Sequence, residues 1–400
     1  MKHSLDIGVL IPEFPGQTHS FFWREIEALK RYHGHQVQII STRLPPQKVH
    51  HEWVGKAEAT YLYPIAPGAL ILAVVTLVAA LPRLLAQADV RKLLRQLRNG
   101  ALLLMAAHLL RLCRRDGIDH LHVHSCANAA LVAALCQRMG GPRYSLVLHG
   151  PLGDYGPEQP FKWRRAAFVF VITEKLRQEM LQVLPEAADK MHVVPMGVDT
   201  DRFAPTPLPA PAPPPFLWFS CARLNRIKGF ETLLEALAAL QETHPDLPCH
   251  VTIAGEDESG GEGYRRVLED RISSLGLAAH VTLLGAVTQA DVLAQLHRCH
   301  GFVLASLHEP LGVAYMEAMA CSLPVVGTDA GGVGELITDE QEGLLVPAQD
   351  AEALMQAMVR VMQDADLRDT LGRQARHRIE TQFGARRSAD ALAQVLKGVD

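Results

Sequence analysis

Apolar residues in this chain gather in short unbroken runs; they do not alternate in and out as in a half-solvated sheet. The segment 168–172, Phe-Val-Phe-Val-Ile, is apolar throughout, which marks a strand covered on both faces in a parallel sheet. Longer stretches between such runs repeat apolar positions every three or four residues, the period of a helix with one buried side. The pattern predicts strands over 6–11, 36–41, 120–124, 145–148, 168–172 and 191–194, with helices among them such as 21–32, 101–115 and 127–139. It then predicts strands over 216–221, 250–254, 281–284, 301–305 and 324–327, and helices over 229–242, 263–275, 289–298, 313–320 and 332–337. Two successive series of alternating strands and helices imply an α/β fold of two doubly wound, Rossmann-like domains facing each other across a cleft.

Residues 204–215 read A-P-T-P-L-P-A-P-A-P-P-P, with seven prolines in twelve positions. Proline lacks the N–H that helix and sheet ladders need, so this stretch reads as an extended spacer. The expected domains are therefore 1–204 and 216–380, joined by a linker at 205–215, with a C-terminal helix in 381–400 packing back on the first domain.

Residues 69–81 are almost purely apolar and lie between Pro67 and Pro82. A spanning helix needs about 20 such residues. The window 83–115 carries eight basic residues (83, 91, 92, 95, 98, 111, 114 and 115) against one acidic residue, Asp89. An apolar helix followed by a basic one suits peripheral contact with an anionic membrane through 69–115. The competing reading is a core helix followed by a solvated basic face.

With 400 residues, 48% of them apolar and 20% charged, the chain is globular and neither fibrous nor disordered. Its net charge of −4 gives no reason to expect nucleic acid as a partner. The seven cysteines are scattered singly without a Cys-x-x-Cys pair, which argues against a disulfide framework or a zinc knuckle and fits a reducing cytosol. The apolar run Ile7–Ile11 stops at Pro12 and is too short for a signal-peptide core, so a cytoplasmic location is expected.

Candidate chemistry concentrates at strand ends of the second half. Glu309 follows the strand over 301–305, Gly312 opens the next helix, and Glu317 lies on its second turn. The next strand runs into Asp329-Ala330-Gly331-Gly332-Val333-Gly334-Glu335, where bare backbone permits close approach of a phosphate. The first strand of this half runs into Ala222-Arg223-Leu224-Asn225-Arg226-Ile227-Lys228-Gly229, which places cations at another strand end. A ligand bearing hydroxyls and phosphates is expected there. In the first half, His120, His122 and His124 alternate and share one strand face. They read as polar groups facing an acceptor, with no metal site expected. Arg24 and Glu25 read as a solvated helix face.

These motifs together resemble the retaining glycosyltransferase family 4, of GT-B fold. The resemblance extends to Val194-Pro195-Met196-Gly197-Val198-Asp199, similar to that family's hinge segment, and to His149-Gly150 after a strand. It implies an acceptor-side first domain and a nucleotide-sugar-binding second domain. It further implies that Arg223 and Lys228 hold a donor diphosphate, that Glu309 faces the sugar hydroxyls and that Glu317 faces the ribose. Gly331 and Gly332 would line the phosphate and sugar pocket with Gly312 at its helix, Gly16 would let backbone approach the donor, and His149 would stand near the sugar and the acceptor. The implied activity is metal-independent, retaining hexosyl transfer, without a cofactor, from a UDP- or GDP-type sugar. The implied acceptor is a lipid-linked or growing polysaccharide at the inner face of the cytoplasmic membrane. The alternatives are a soluble GT-B enzyme of sucrose synthase, sugar-phosphate synthase or nucleotide-sugar epimerase type, and a non-catalytic GT-B scaffold subunit.

Overall fold

The computed structural model describes residues 5–15, 20–44, 54, 57–96, 100–206, 214–257 and 263–398. They divide into two compact units, one holding the residues up to Pro195 and those from Ser388 onward, the other spanning Met196–Arg387.

The first unit contains β1 (Asp6–Glu13), α1 (Ser20–His33), β2 (Gln36–Arg43), β3 (Ala59–Tyr61), α2 (Pro67–Leu85), α3 (Ala88–Gln96) and α4 (Ala101–Asp116). It continues through β4 (His120–Val123), α5 (Asn128–Arg138), β5 (Arg143–Leu148), α6 (Gln159–Arg164), β6 (Val169–Val171), α7 (Glu174–Val183) and β7 (Met191–Val193). Its strands form one sheet of order β3-β2-β1-β4-β5-β6-β7, parallel at every pairing. The run at 168–172 is buried from end to end, as its lack of alternation requires.

The second unit contains β8 (Phe216–Cys221), α8 (Phe230–Thr243), β9 (Cys249–Ala254), α9 (Tyr264–Ser274), β10 (Val281–Gly285), α10 (Gln289–Leu296) and β11 (Gly301–Leu304). There follow α11 (Val313–Ala320), β12 (Val325–Thr328), α12 (Val333–Leu336), β13 (Leu344–Val346), α13 (Ala351–Gln363) and α14 (Ala365–Gln382), and then α15 (Ala385–Lys397), most of which belongs to the first unit. This sheet, also parallel, has the order β10-β9-β8-β11-β12-β13. Both orders reverse direction once, at β1/β4 and at β8/β11, and in doubly wound sheets the loops leaving such a pair of strands form the binding crevice.

Several expectations are corrected. The second unit begins at Met196, inside the segment 194–199, and not at residue 216. Its early residues are tied to the far end of the same unit: Val198 N–H donates to the Phe383 carbonyl and Ala385 N–H to the Val198 carbonyl, each at 2.9 Å. Arg376 donates to the carbonyls of Phe203 at 2.6 Å and Thr200 at 3.1 Å. Of the expected linker at 205–215, residues 207–213 lie outside the described residues. The return to the first unit falls at Ser388, inside α15 and later than 381. There Ala389, Leu392 and Leu396 join the core built on Ile7, Val9, Ile39 and Phe168, and His33 pairs with Asp390 at 2.8 Å. Helix α2 runs through Pro82 to Leu85, so that proline does not bound it. It packs on α4 and buries Ala73, Ala80 and Leu84, yet leaves Leu70, Ile71, Leu72, Val74, Val75 and Val78 exposed. It is not a core helix.

Candidate active site

The loops leaving β8 and β11 meet through one glycine. Gly229 closes the turn Arg226–Lys228 with φ +62°, and a Cβ there would overlap the Ala305 carbonyl at the end of β11. Only a residue without a side chain lets the two loops lie this close. Leu307 N–H donates to the Ile227 carbonyl at 2.7 Å and fastens them. Lys228 is thereby set opposite Glu309, and its Nζ donates to Glu309 Oε2 at 2.5 Å. Both side chains are nearly buried, 10% and 12% exposed. Ser306 Oγ donates to the same carboxylate oxygen at 3.3 Å, while Thr328 Oγ1 donates to the Ser306 carbonyl at 2.5 Å.

A third loop, leaving β12, is locked to the second. Glu309 and Gly331 form an isolated parallel bridge: Glu309 N–H donates to the Ala330 carbonyl at 3.3 Å and Gly332 N–H to the Glu309 carbonyl at 2.9 Å. Gly331 has φ +77°, and a Cβ there would overlap the Glu309 carbonyl. The bond from Gly332 corrects one expectation. Its amide, expected to face a phosphate, holds Glu309 in place. Gly312 caps α11 with φ +101°, and a Cβ there would press on the Tyr315 ring and come within 3.4 Å of Glu309 Cγ. The first-turn amides of α11 and their partial positive charge therefore open close to Glu309.

Glu317 is buried on α11 and not solvated. The Cys221 thiol, at the end of β8, is pushed up to about 12 by burial and then by the Glu317 carboxylate, and Cys321 likewise. Arg223 is exposed on the loop after β8. Arg226 is drawn outward to Glu231 at 3.1 Å and stands over the Tyr264 ring. The second unit therefore brings together Lys228, Glu309, Gly312, Gly331 and Gly332. Sequence reasoning missed Ser306 and Thr328, whose position beside the strand ends was the available signal.

In the first unit, His149 directly follows β5 and is half-buried. Gly16 lies outside the described residues. The three alternating histidines do share one face, but they are buried. His120 Nε2 and His122 Nδ1 each lie 2.8 Å from Ser145 Oγ. Arg24 and Glu25 are also packed inward, which overturns the solvated-face reading. Glu25 Oε1 stands 3.1 Å from His124 Nε2 and 3.4 Å from His122 Nε2. Burial alone would raise the Glu25 pKa, but the two imidazoles that face it hold it well below the carboxylate range. Burial pushes His120 down to about 3 and also pushes His122 down, against the pull of Glu25. His124 Nδ1 lies 3.3 Å from His149 Nε2.

Two parallel doubly wound domains, with a cation, a carboxylate and glycine turns gathered where the second sheet reverses, define a protein of GT-B fold. Comparison with known proteins agrees. Residues 20–202 match the family model Glycosyltransferase Family 4, and residues 209–378 match Glycosyl transferases group 1. The chain belongs to glycosyltransferase family 4 and is a glycosyltransferase. It is 31% identical to a putative colanic acid biosynthesis glycosyltransferase of Escherichia coli over 68% of each chain. It is 28% identical to a GDP-mannose-dependent phosphatidylinositol monomannoside mannosyltransferase of Mycolicibacterium smegmatis, over 74% of this chain and 80% of the relative. The solved HepE protein of Anabaena, in complex with UDP and glucose, matches its fold with a TM-score of 0.75 at 18% identity, covering 98% of this chain and 99% of that one.

Proposed function

We propose that the protein transfers a hexosyl unit, with retention and without a metal, from a UDP- or GDP-type sugar to a lipid-linked or growing polysaccharide acceptor at the inner face of the cytoplasmic membrane. The observation that carries this reading is the Lys228–Glu309 pair at the reversal point of the second sheet. Lys228, with Arg223 and the α11 amides, is assigned to the diphosphate, Glu309 to the sugar hydroxyls and Glu317 to the ribose.

Cleaving the anomeric bond builds negative charge on the departing diphosphate, and fixed cations and dipoles stabilise that charge without reorganising. The acceptor hydroxyl attacks the face the diphosphate leaves, its proton passing to the departing phosphate oxygen. No protein nucleophile is needed. Cationic side chains supply the counter-charge, so neither a divalent ion nor a cofactor is assigned. His149 is assigned to the sugar and acceptor side, and Gly16 to backbone approach of the donor. The lipid part of the acceptor is supported by α2, which turns Ile71, Val75 and Val78 outward, and by the exposed Arg83, Arg91, Lys92, Arg114 and Arg115 of the segment that follows.

A thermal-shift panel of UDP, GDP, ADP and their sugars tests the donor class. Binding to the folded state alone stabilises by about 2.7 kcal/mol at 100 times the dissociation constant. A chain that no nucleotide or nucleotide sugar shifts is not this enzyme.

A further inference from the structure

One face of the first sheet carries a second cluster, apart from Lys228 and Glu309, which belong to the second unit. His122, on β4, and His124, just beyond it, are two residues apart and so project to the same side, where Glu25 of α1 meets them. Glu25 Oε1 stands 3.4 Å from His122 Nε2 and 3.1 Å from His124 Nε2. All three atoms are buried, and among the described residues none of them has a hydrogen-bond partner. Buried polar atoms in folded proteins are satisfied by a side chain, by water or by an ion, and here no side chain does it. Around an ion bound at about 2.0–2.1 Å, tetrahedral ligands stand about 3.3–3.4 Å apart. The two measured spacings lie close to that edge, and all three atoms lie within 4.8 Å of one another.

The opposite ring nitrogens are already engaged. His122 Nδ1 lies 2.8 Å from Ser145 Oγ, which also meets His120 Nε2 at 2.8 Å, and His124 Nδ1 lies 3.3 Å from His149 Nε2. An imidazole whose Nδ1–H is held in this way presents its Nε2 lone pair, the arrangement that orients metal-binding histidines. The Glu25 side chain is 12% exposed and leaves an edge open for entry.

We propose that Glu25 Oε1, His122 Nε2 and His124 Nε2 bind one divalent transition-metal ion of the zinc class, with water in the fourth position. Two imidazoles and a carboxylate suit zinc and do not suit Mg²⁺. The ion ties α1 to the end of β4 as a structural joint of the first unit, and the counter-charge for the diphosphate stays with Lys228. This departs from the expectation that the alternating histidines hold no metal, which placed Glu25 in solvent.

The test uses the full chain without a histidine tag, stripped of metal by a chelator, equilibrated with Zn²⁺ and desalted. Elemental analysis is expected to find one zinc per chain, and Zn²⁺ to raise the melting temperature where Mg²⁺ at the same concentration does not. Glu25→Gln and His122→Asn are expected to lose both the bound equivalent and the shift. His192→Gln, a change at an exposed histidine of β7 in the same unit, is expected to keep both. If the ligand variants do not fold, Ser145→Ala serves: it keeps all three ligands, removes the partner of His122 Nδ1 and is expected to weaken zinc binding about 10- to 100-fold. A wild-type chain that retains no zinc overturns the proposal, as does a response to Mg²⁺ equal to that to Zn²⁺. Unchanged zinc binding in the ligand variants or, where those fail to fold, in Ser145→Ala overturns it as well.

Discussion

Lys228 Nζ and Glu309 Oε2 stand 2.5 Å apart, each on a loop leaving one of the two strands where the second sheet reverses. A diphosphate carries more charge than one carboxylate and would compete with Glu309 for the Lys228 ammonium. Lys228→Ala is expected to lower turnover about 10²- to 10³-fold and to abolish the thermal shift given by the nucleoside diphosphate, with Arg223→Ala acting in the same direction. Glu309→Gln is expected to lose transfer and keep the nucleotide shift, because its partner in the assigned complex is the sugar. Equal loss of nucleotide binding in Lys228→Ala and Glu309→Gln would contradict that division.

Gly331 carries a separate prediction. Its φ of +77° and the carbonyl of Glu309 both oppose a side chain. A left-handed alanine costs about 1–2 kcal/mol, and relief of the clash must open the Glu309–Gly331 bridge. Gly331→Ala is expected to lower kcat more than it weakens nucleotide binding. Gly334→Ala, three residues on, would press only on the Asp329 carboxylate and serves as the near-neutral control. Similar kinetics in both would detach the bridge from catalysis.

Because cationic side chains are assigned the diphosphate, activity is expected to survive EDTA. A loss restored by Mg²⁺ would show that the counter-charge comes from an ion.

The sheets were legible because buried parallel strands such as 168–172 need no partner information to be apolar throughout. The edge strands β3 (Ala59–Tyr61) and β13 (Leu344–Val346) were not predicted. At the site, Glu309, Glu317, Lys228 and the glycines were visible as residue types at strand ends. That Gly332 spends its amide on Glu309 was invisible, because it depends on how two loops cross. Glu25 read as solvated for a related reason. One sequence shows that α1 is amphipathic, but not that His122 of β4 and His124 just beyond it face the Glu25 carboxylate.

The buried histidines set an acid limit on the first unit. His120 is held at about 3 by burial, against an ordinary value near 6.5 in the unfolded chain. A depressed histidine pKa means that the unfolded state binds the proton more readily, so stability is full above about 6.5 and falls as pH drops through the window down to about 3. By pH 5 this one group is expected to have removed about 2 kcal/mol, and His122, shifted in the same direction, adds to the loss. Urea unfolding at pH 7.5 and pH 5 measures it. His120→Gln is expected to flatten the pH dependence by that share, and an unchanged slope would mean that His120 is already charged when folded.

Helix α2 makes the membrane reading measurable apart from catalysis. Ile71, Val75 and Val78 are 66%, 60% and 59% exposed, so their replacement disturbs little packing. Each would contribute about 1 kcal/mol on partial burial in an interface, and together about 100-fold in partitioning. The wild-type chain is expected to float with vesicles of phosphatidylglycerol and phosphatidylcholine at low salt and to float less at high salt, since each nearby Lys or Arg adds about 1 kcal/mol that screening removes. The triple variant Ile71→Ser, Val75→Ser, Val78→Ser is expected to stay in the soluble fraction while keeping its kcat on a water-soluble acceptor. Its retention on vesicles would place the contact elsewhere. A wild-type chain that never floats would return α2 to the role of a surface helix awaiting a protein partner, and the lipid-linked acceptor would lose its structural support.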